Sequence, residues 1–490
     1  MHLIRTGDRR QLTRRRVTKM PAKTRRNRTL LSDWSRVPNE LVLALALVLT
    51  RLPLINLGFG LDADAWRLAN TAFDLRHHAQ YHASRFPGYP LPEFVNALLI
   101  EQGWLATNIL TVLLALLSVL VFMRILKALN CPNQGILIIA YAFLPLLWIN
   151  STNTMDYTWA LCFIMCAWLL ATKKRMMLAG LTMGLAIGSR LPTLILILPF
   201  LYLCYSETKK ITGTLQFLFS AIITTAVLYI PLFMTYGFEF LQRYPTETSI
   251  MQTGYLAMKH FGVLTIVVLI VLVIASLDQM RRLLAERDRH FIFSLFAALA
   301  GLITYIAVPY HIEYVIPVIP FALLLIFRTG KKWLLILFVL LALSHALVSV
   351  INVQHLGRGR IRTTLIEPGT VFRNIAARQE QLAFVKRLMQ ARIDSHSVVI
   401  IGTWLPVLAY ASGDVSSVRE TKKMYDTNRP GEGVQDFQHD ILYRYLLTRS
   451  ELEDLIEQNY TIYYIDGIRE FTSAVHGYDL ADHETTYIDI

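Results

Sequence analysis

Two aspartates two residues apart, Asp62 and Asp64 in the stretch GLDADAWRLA, are the first candidates for chemistry in this sequence. They follow the first long apolar run and precede a segment with helical spacing. A carboxylate at the boundary between water and lipid can stay ionised, so it can accept a proton from a hydroxyl group or hold a cation. The same acids would also suit the N-terminus of a helix, where unpaired N–H groups favour acidic side chains. The spacing alone leaves both interpretations open.

A further acid and several basic groups stand at the ends of later apolar runs, on the side of the membrane that we assign to Asp62 and Asp64. Asp156 begins the fourth run, and Arg190 lies in a turn between two short runs. Ionisable groups at membrane depth are costly, so several on one face indicate a function. Basic side chains can bind a phosphate, and a carboxylate can accept the proton of a hydroxyl group. Each residue alone also has an ordinary structural explanation. The other candidates are Arg67, Arg85, Tyr89, Lys259, His260, His311 and Glu313.

The composition of the chain is that of a polytopic membrane protein, so membrane helices must position these residues. Apolar residues make up 54% of the 490 and charged residues only 17%, against about a quarter in soluble proteins. The net charge of +13 comes largely from residues 1–28, which hold 11 Lys and Arg and one acid. We interpret residues 1–38 as a basic cytoplasmic tail that contacts anionic membrane lipids. Nucleic acid is not an expected partner, because most of the excess positive charge lies in this tail.

Apolar runs of the length that crosses a bilayer predict about eleven transmembrane helices between residues 39 and 351. Lys and Arg in alternate loops set the orientation: 14 fall in the loops on the N-terminal side and six in the opposite loops. The N-terminus is therefore expected in the cytoplasm. The runs lie at about 40–58, 103–123, 134–150, 155–172, 176–190, 191–206, 213–235, 261–277, 291–308, 314–328 and 333–351.

Three regions are then expected outside the cytoplasm: loop 59–102, a loop around 236–260, and the C-terminal region from residue 352. Loop 59–102 is predicted to form two interfacial helices joined by a rigid corner, because SRFPGYPLPEF contains three prolines and a glycine. Residues 352–490 are predicted to be a small α/β domain, with helical segments at 378–392 and 450–458 and strand-like segments at 397–402 and 460–466. We assign this domain no nucleotide, because it contains no GxGxxG or P-loop motif. The expected localisation is the inner (plasma) membrane.

With these motifs in place, the chain resembles the GT-C glycosyltransferases, integral membrane enzymes that use a polyprenyl-phosphate-linked sugar. The topology matches over most of the chain. Asp64 followed by Arg67 is similar to the acid-then-arginine pattern of the aminoarabinose and mannose transferases in the family. GLAIGSRLPTLILILP and EYVIPVIPFALLLI resemble its glycine–arginine–proline turn and its tyrosine–proline segment, although Glu313 stands where an arginine is usual. PGYPL resembles a run of the O-mannosyltransferase-like members.

The resemblance implies an inverting transfer to a lipid, glycan or protein acceptor on the outer face. It makes Asp64 the favoured base, with Asp62 as the other candidate and Asp156 in support. It implies that Arg190, Lys259 and His311 bind the lipid phosphate, and that Arg85 and Tyr89 line the sugar pocket. No cofactor is required; a divalent metal ion is compatible with the family, but no cluster in the sequence demands one. The alternative functions are a secondary transporter, a lipid-linked glycan flippase or a ligase.

Overall fold

The computed structural model describes residues 39–241, 250–307, 311–355, 361–413, 433–436 and 440–489. The predicted basic tail, 1–38, lies outside these ranges. The helices up to residue 347 are α1 (Glu40–Ile55), α2 (Ala63–His78), α3 (Pro90–Ala97), α4 (Gly103–Ala128), α5 (Gln134–Phe143), α6 (Pro145–Asn150), α7 (Tyr157–Thr172), α8 (Met176–Ser189), α9 (Ile197–Thr208), α10 (Ile211–Tyr236), α11 (Ile250–Phe261), α12 (Val263–Ala285), α13 (Arg289–Ala307), α14 (Ile319–Thr329) and α15 (Lys332–Leu347).

Several of these helices have the length and composition of membrane spans. Within the described ranges, six helical stretches are long and apolar enough to cross a bilayer, and α5, α7, α8 and α15 are shorter apolar helices. Each of the eleven predicted runs overlaps a helix, but the run 134–150 is broken at Leu144 and Pro145, because proline cannot continue a helix. The six stretches are Ile100–Ala128, Leu191–Thr208, Ile211–Tyr236, Val263–Ala285, Arg289–Ala307 and Ile312–Thr329.

Three glycines on α8, spaced four residues apart, let this helix pack closely against α10. A Cβ atom on Gly180 would lie 2.2 Å from the backbone oxygen of Phe217, and one on Gly184 would lie 2.5 Å from Thr224 Cβ. Small residues at this spacing allow two membrane helices to approach backbone to backbone. Gly188 is the third, and it is followed two residues later by Arg190. The contact therefore fixes the end of α8 that presents Arg190.

The loop 59–102 contains the two predicted helices, α2 and α3, and a corner that joins them. Glu93 in the first turn of α3 is buried and accepts from the backbone N–H and the hydroxyl of Ser84, at 2.8 and 2.7 Å, and from the Tyr81 hydroxyl at 2.8 Å. Burial raises the pKa of Glu93, against the opposing effect of these donors. Gly88 has a φ of +85°, which favours glycine. These bonds fix the backbone that carries Arg85.

Helix α2 is more enclosed than the sequence predicts for a helix that lies on a bilayer. The Asp74 side chain is buried and lies 2.6 Å from His78 Nδ1 and 3.1 Å from His82 Nε2. The reason is tertiary, because a helix of the C-terminal region covers α2. The position of α2 and α3 relative to a bilayer stays a prediction.

The C-terminal region forms a small α/β structure, so the predicted fold class, a polytopic α-helical membrane protein with a small C-terminal α/β domain, is confirmed. A hairpin, β1 and β2, follows α15 directly, ahead of the predicted boundary at 352. A five-stranded sheet has the order β4-β5-β3-β6-β7, in which β5, β3, β6 and β7 are parallel and β4 is antiparallel. The elements are β1 (Val348–His355), β2 (Ile361–Pro368), α16 (Thr370–Gln390), β3 (Ser397–Ile400), α17 (Leu405–Ser412), β4 (Gly433–Asp436), β5 (Ile441–Arg444), α18 (Arg449–Glu457), β6 (Thr461–Tyr464), α19 (Ile468–His476) and β7 (Thr485–Tyr487).

Aromatic rings and hydrogen bonds join this domain to the outer loop. Tyr410 on α17 packs edge-on against Phe59, with ring centroids 4.7 Å apart, and lies 5.9 Å from Trp66 on α2. Asn70 on α2 donates to the carbonyl of Pro406 at 3.0 Å. The domain is thus packed against the helix that begins at the two acids Asp62 and Asp64.

Candidate functional site

A continuous chain of ion pairs links two of the predicted acids to three arginines. Asp64 accepts from Arg67 Nη1 at 3.0 Å, and its other oxygen lies 3.0 Å from Arg85 Nε. Arg85 then donates to one oxygen of Asp156 at 2.5 Å, and Arg190 donates to the other at 2.5 Å. We call these five side chains the acid–arginine cluster.

Four separate elements bring the acid–arginine cluster together. Asp64 and Arg67 lie one turn apart at the start of α2, and Arg85 comes from the corner between α2 and α3. Asp156 precedes α7, and Arg190 ends α8 at a sharp change into extended backbone. Asp156 and Arg190 are almost completely buried. Buried charges persist only when they are paired and hydrogen-bonded, which explains why the arginines and acids alternate.

Tyrosine rings cover both buried guanidinium groups. Arg85 lies 3.9 Å from the ring centroid of Tyr89, and Arg190 lies 4.0 and 4.1 Å from those of Tyr157 and Tyr314. A cation over an aromatic face is stabilised, and more so where water is excluded. Tyr89 was a sequence candidate, but Tyr157 and Tyr314 were missed. The available signal was adjacency, because Tyr157 follows Asp156 and Tyr314 follows Glu313 directly.

One nitrogen of each buried arginine has no hydrogen-bond partner among the described residues: Arg85 Nη1 and Arg190 Nη2. Both side chains are at least nine-tenths buried. A buried N–H that lacks a partner costs about 1–3 kcal/mol, and more where the group is charged. Two such donors on arginines that share the carboxylate of Asp156 form a ready receptor for an anion with several acceptor oxygens.

Asp62 and Asp64 have different environments. Asp62 is the N-cap of α2, as the structural alternative predicted, and accepts from the backbone N–H of Asp64 at 3.0 Å. Burial, followed by the negative charge of Asp64, raises the pKa of Asp62. Burial alone would also raise the pKa of Asp64, but Arg85 and Arg67 outweigh it and hold that pKa below its usual value. Asp64 is therefore a fixed anion, whereas Asp62 is the stronger base.

Two further candidates lie beside the pair of acids. His311 lies close enough to both acids for its electrostatic interaction to lower the pKa of Asp62 and the pKa of Asp64. Glu313 interacts electrostatically with Asp62 and with Arg190. Both residues belong to the segment that also carries Tyr314. The structure therefore brings His311 and Glu313 to the edge of the acid–arginine cluster.

Lys259 and His260 are the two predicted site residues that the structure places elsewhere. The carbonyl of Lys259 accepts from His345 Nε2 at 3.0 Å, and the Lys259 side chain is exposed. Burial, together with the charges of Lys259, His345 and Arg373, lowers the pKa of His260 to about 3. These contacts lie at the junction of α11, α15 and α16, and none of them involves the acid–arginine cluster.

In the part of the chain that the structure describes, no group of three or more His, Cys, Asp or Glu side chains is placed to hold a metal ion. The carboxylates of Asp64 and Asp156 are instead bound by arginine. The cations that balance the acids at this site are guanidinium groups.

Comparison with solved structures yields a match to ArnT from Cupriavidus metallidurans, in a crystal structure with bound undecaprenyl phosphate. The two chains are 14% identical, the match covers 77% of this chain and 75% of that one, and the TM-score is 0.44. No protein-family model matches the sequence. No curated protein matches it either. A likeness at this level does not identify a substrate or an activity.

Proposed function

We propose that the protein is an integral membrane glycosyltransferase of the GT-C type. It transfers a sugar from a polyprenyl-phosphate-linked donor to a lipid, glycan or protein acceptor on the outer face of the inner membrane. The observation that carries the proposal is that two buried donors without a partner among the described residues, Arg85 Nη1 and Arg190 Nη2, lie in the same site as a partly exposed acid, Asp62. A phosphate that must leave and a hydroxyl that must lose its proton need these two kinds of group.

The buried arginines bind the phosphate of the donor. One free nitrogen from each guanidinium group donates to a phosphate oxygen, and these charge-assisted bonds strengthen as the leaving phosphate gains charge. Asp156 holds Arg85 and Arg190 side by side, while the rings of Tyr89, Tyr157 and Tyr314 cover them. His311, which lies beside the acids, also contacts the phosphate in this proposal. Lys259 and His260 have no part in phosphate binding in this proposal.

The acids act on the acceptor. Its hydroxyl oxygen attacks the anomeric carbon, the bond from that carbon to the phosphate oxygen breaks, and polyprenyl phosphate leaves with the electron pair, so the configuration inverts. A carboxylate takes the hydroxyl proton. The sequence favours Asp64, but both of its oxygens are bound by arginine. The environment favours Asp62 as the proton acceptor, with Asp64 positioning Arg85.

The test uses the purified protein in liposomes with polyprenyl-phosphate mannose or polyprenyl-phosphate aminoarabinose as the donor. Release of polyprenyl phosphate is the expected result. The matched pair of variants is Asp62→Asn, which should abolish transfer, and Glu101→Gln, an exposed acid in the same loop, which should not. Mass spectrometry of cellular glycolipids and glycans with and without the protein would identify the acceptor. Movement of the donor across the bilayer with no product would contradict the proposal and favour a transporter or flippase.

A further inference from the structure

Two polar side chains on α16, three residues apart in the C-terminal domain, reach the backbone beside the candidate acids. Gln381 is almost fully buried, and its amide nitrogen donates to the carbonyl of Leu61 at 3.1 Å. Its amide oxygen accepts from the indole N–H of Trp66 at 3.2 Å, and the same N–H donates to the carbonyl of Gly60 at 2.9 Å. Gln381 therefore closes a ring of hydrogen bonds around the residues that lead into Asp62.

Arg378, one turn earlier on α16, makes the matching contact to the segment that carries Asp156. Its guanidinium donates to the carbonyl of Leu54, at the end of α1, at 3.0 Å and to the carbonyl of Thr152 at 3.4 Å. Its side chain is fully buried, and burial lowers its pKa to about 9. A desolvated guanidinium that is bonded to carbonyls is costly to keep for packing alone.

The two contacts together span the gap between the acid-bearing segments. The segments also touch directly, because the N–H of Thr154 donates to the carbonyl of Phe59 at 2.7 Å. Asp62 and Asp64 follow one segment, Asp156 follows the other, and Arg85 bridges them. A shift of either backbone would change the spacing between the proton acceptor and the anion receptor.

We propose that Gln381 and Arg378 are positioning residues of the site: from the C-terminal domain, they set the separation of the Asp62–Asp64 segment and the Asp156 segment. The inference rests on the proposed function. It makes the C-terminal domain part of the catalytic unit, and the effect of disrupting it falls on turnover and not on donor affinity. Turnover is sensitive to placement, since a misplacement of ~1 Å can cost about 100-fold.

The test compares Gln381→Met with Gln379→Met in the full-length protein. Methionine matches glutamine in size but cannot form either hydrogen bond, and Gln379 is exposed on the same helix. For Gln381→Met we expect kcat to fall by about 10-fold or more with the KM for the donor unchanged. Amide hydrogen exchange over residues 60–65 should become faster in this variant alone. Equal kcat in the two variants would overturn the inference.

A second variant guards against loss of folding. Gln381→Glu keeps an acceptor for Trp66 but loses the donor to the carbonyl of Leu61, so its kcat should also fall; wild-type kcat would overturn the positioning role. If the wild-type protein transfers no sugar from either donor, the proposed function fails by itself. The hydrogen-exchange comparison then still tests the ring of bonds around residues 60–62, and unchanged exchange would overturn it.

Discussion

At the scale of single residues, the two aspartates of the outer loop lie two residues apart, but their pKa values shift in opposite directions. Two arginines hold Asp64 as an anion, while burial and the charge of Asp64 raise the pKa of Asp62. A general base works best when its pKa approaches the working pH. Pairs of acids whose environments separate their pKa values commonly divide the roles of proton acceptor and charge stabiliser.

This division predicts the pH dependence of the Asp64→Asn variant. Asp62 must be ionised to accept a proton, so the rate rises with pH through the pKa of Asp62. Removing the negative charge of Asp64 lowers that pKa, so the acid limb of kcat/KM should move to lower pH, while the maximal rate falls because Arg85 loses a partner. A pH profile of transfer measures this shift. An acid limb that stays in place or moves to higher pH contradicts Asp62 as the base.

The buried arginine of the anion receptor gives a second prediction at this scale. Arg190→Lys keeps the charge but loses the planar fork that lies between Tyr157 and Tyr314 while it also bonds Asp156. We expect the KM for the donor to rise about 10-fold, the equivalent of about 1.4 kcal/mol. Steady-state kinetics check this against Arg469→Lys, which changes an exposed arginine paired with Asp479. The same KM in both variants would argue against Arg190 as a phosphate ligand.

At the scale of elements, the contact between α8 and α10 shows why identical substitutions along one helix should differ. Alanine usually stabilises a helix relative to glycine by about 1 kcal/mol. At Gly180 the new Cβ would meet the backbone oxygen of Phe217, which cannot move alone, whereas at Gly188 it would meet the end of the Leu228 side chain. Gly180→Ala should therefore lower the melting temperature in detergent, and Gly188→Ala should change it little. An equal change in both variants would mean that the helix backbones can separate freely.

The sequence predicted several helices and strands but not the contacts between residues that are distant in the chain. Helical spacing predicted α16 and α18, and strand-like runs predicted β3 and β6, because those patterns are local. The ion pairs of Asp64, Asp156 and Arg190 were expected only as a common face. Their pairing joins residues 64, 85, 156 and 190, and no local pattern contains that. Gln381 was missed for the same reason: nothing in an amphipathic helix indicates that one glutamine reaches a loop more than 300 residues away.

At the scale of the whole molecule, two groups of charged contacts lie at positions that the sequence assigns to opposite sides of the membrane. One group is the acid–arginine cluster, with the C-terminal domain packed beside it. The other joins helix ends that the sequence assigns to the cytoplasm: Lys127 pairs with Glu40 at 3.1 Å, and Arg328 pairs with Asp288 at 2.8 Å. The side of the membrane on which each group lies stays a prediction.

Single-cysteine labelling measures that orientation. The native cysteines are Cys131, Cys162, Cys166 and Cys204, all at least half-buried, and a variant with alanine at these positions provides the background. Arg287→Cys places an exposed thiol in the turn after α12, and Asp454→Cys places one on α18. A membrane-impermeant maleimide should label the Asp454→Cys variant in intact spheroplasts and the Arg287→Cys variant only after permeabilisation. The reversed pattern would put Asp62 and Arg190 in the cytoplasm. A site in the cytoplasm would have access to soluble nucleotide sugars. It would not need a lipid-linked donor, so the reversed pattern would contradict the proposed function.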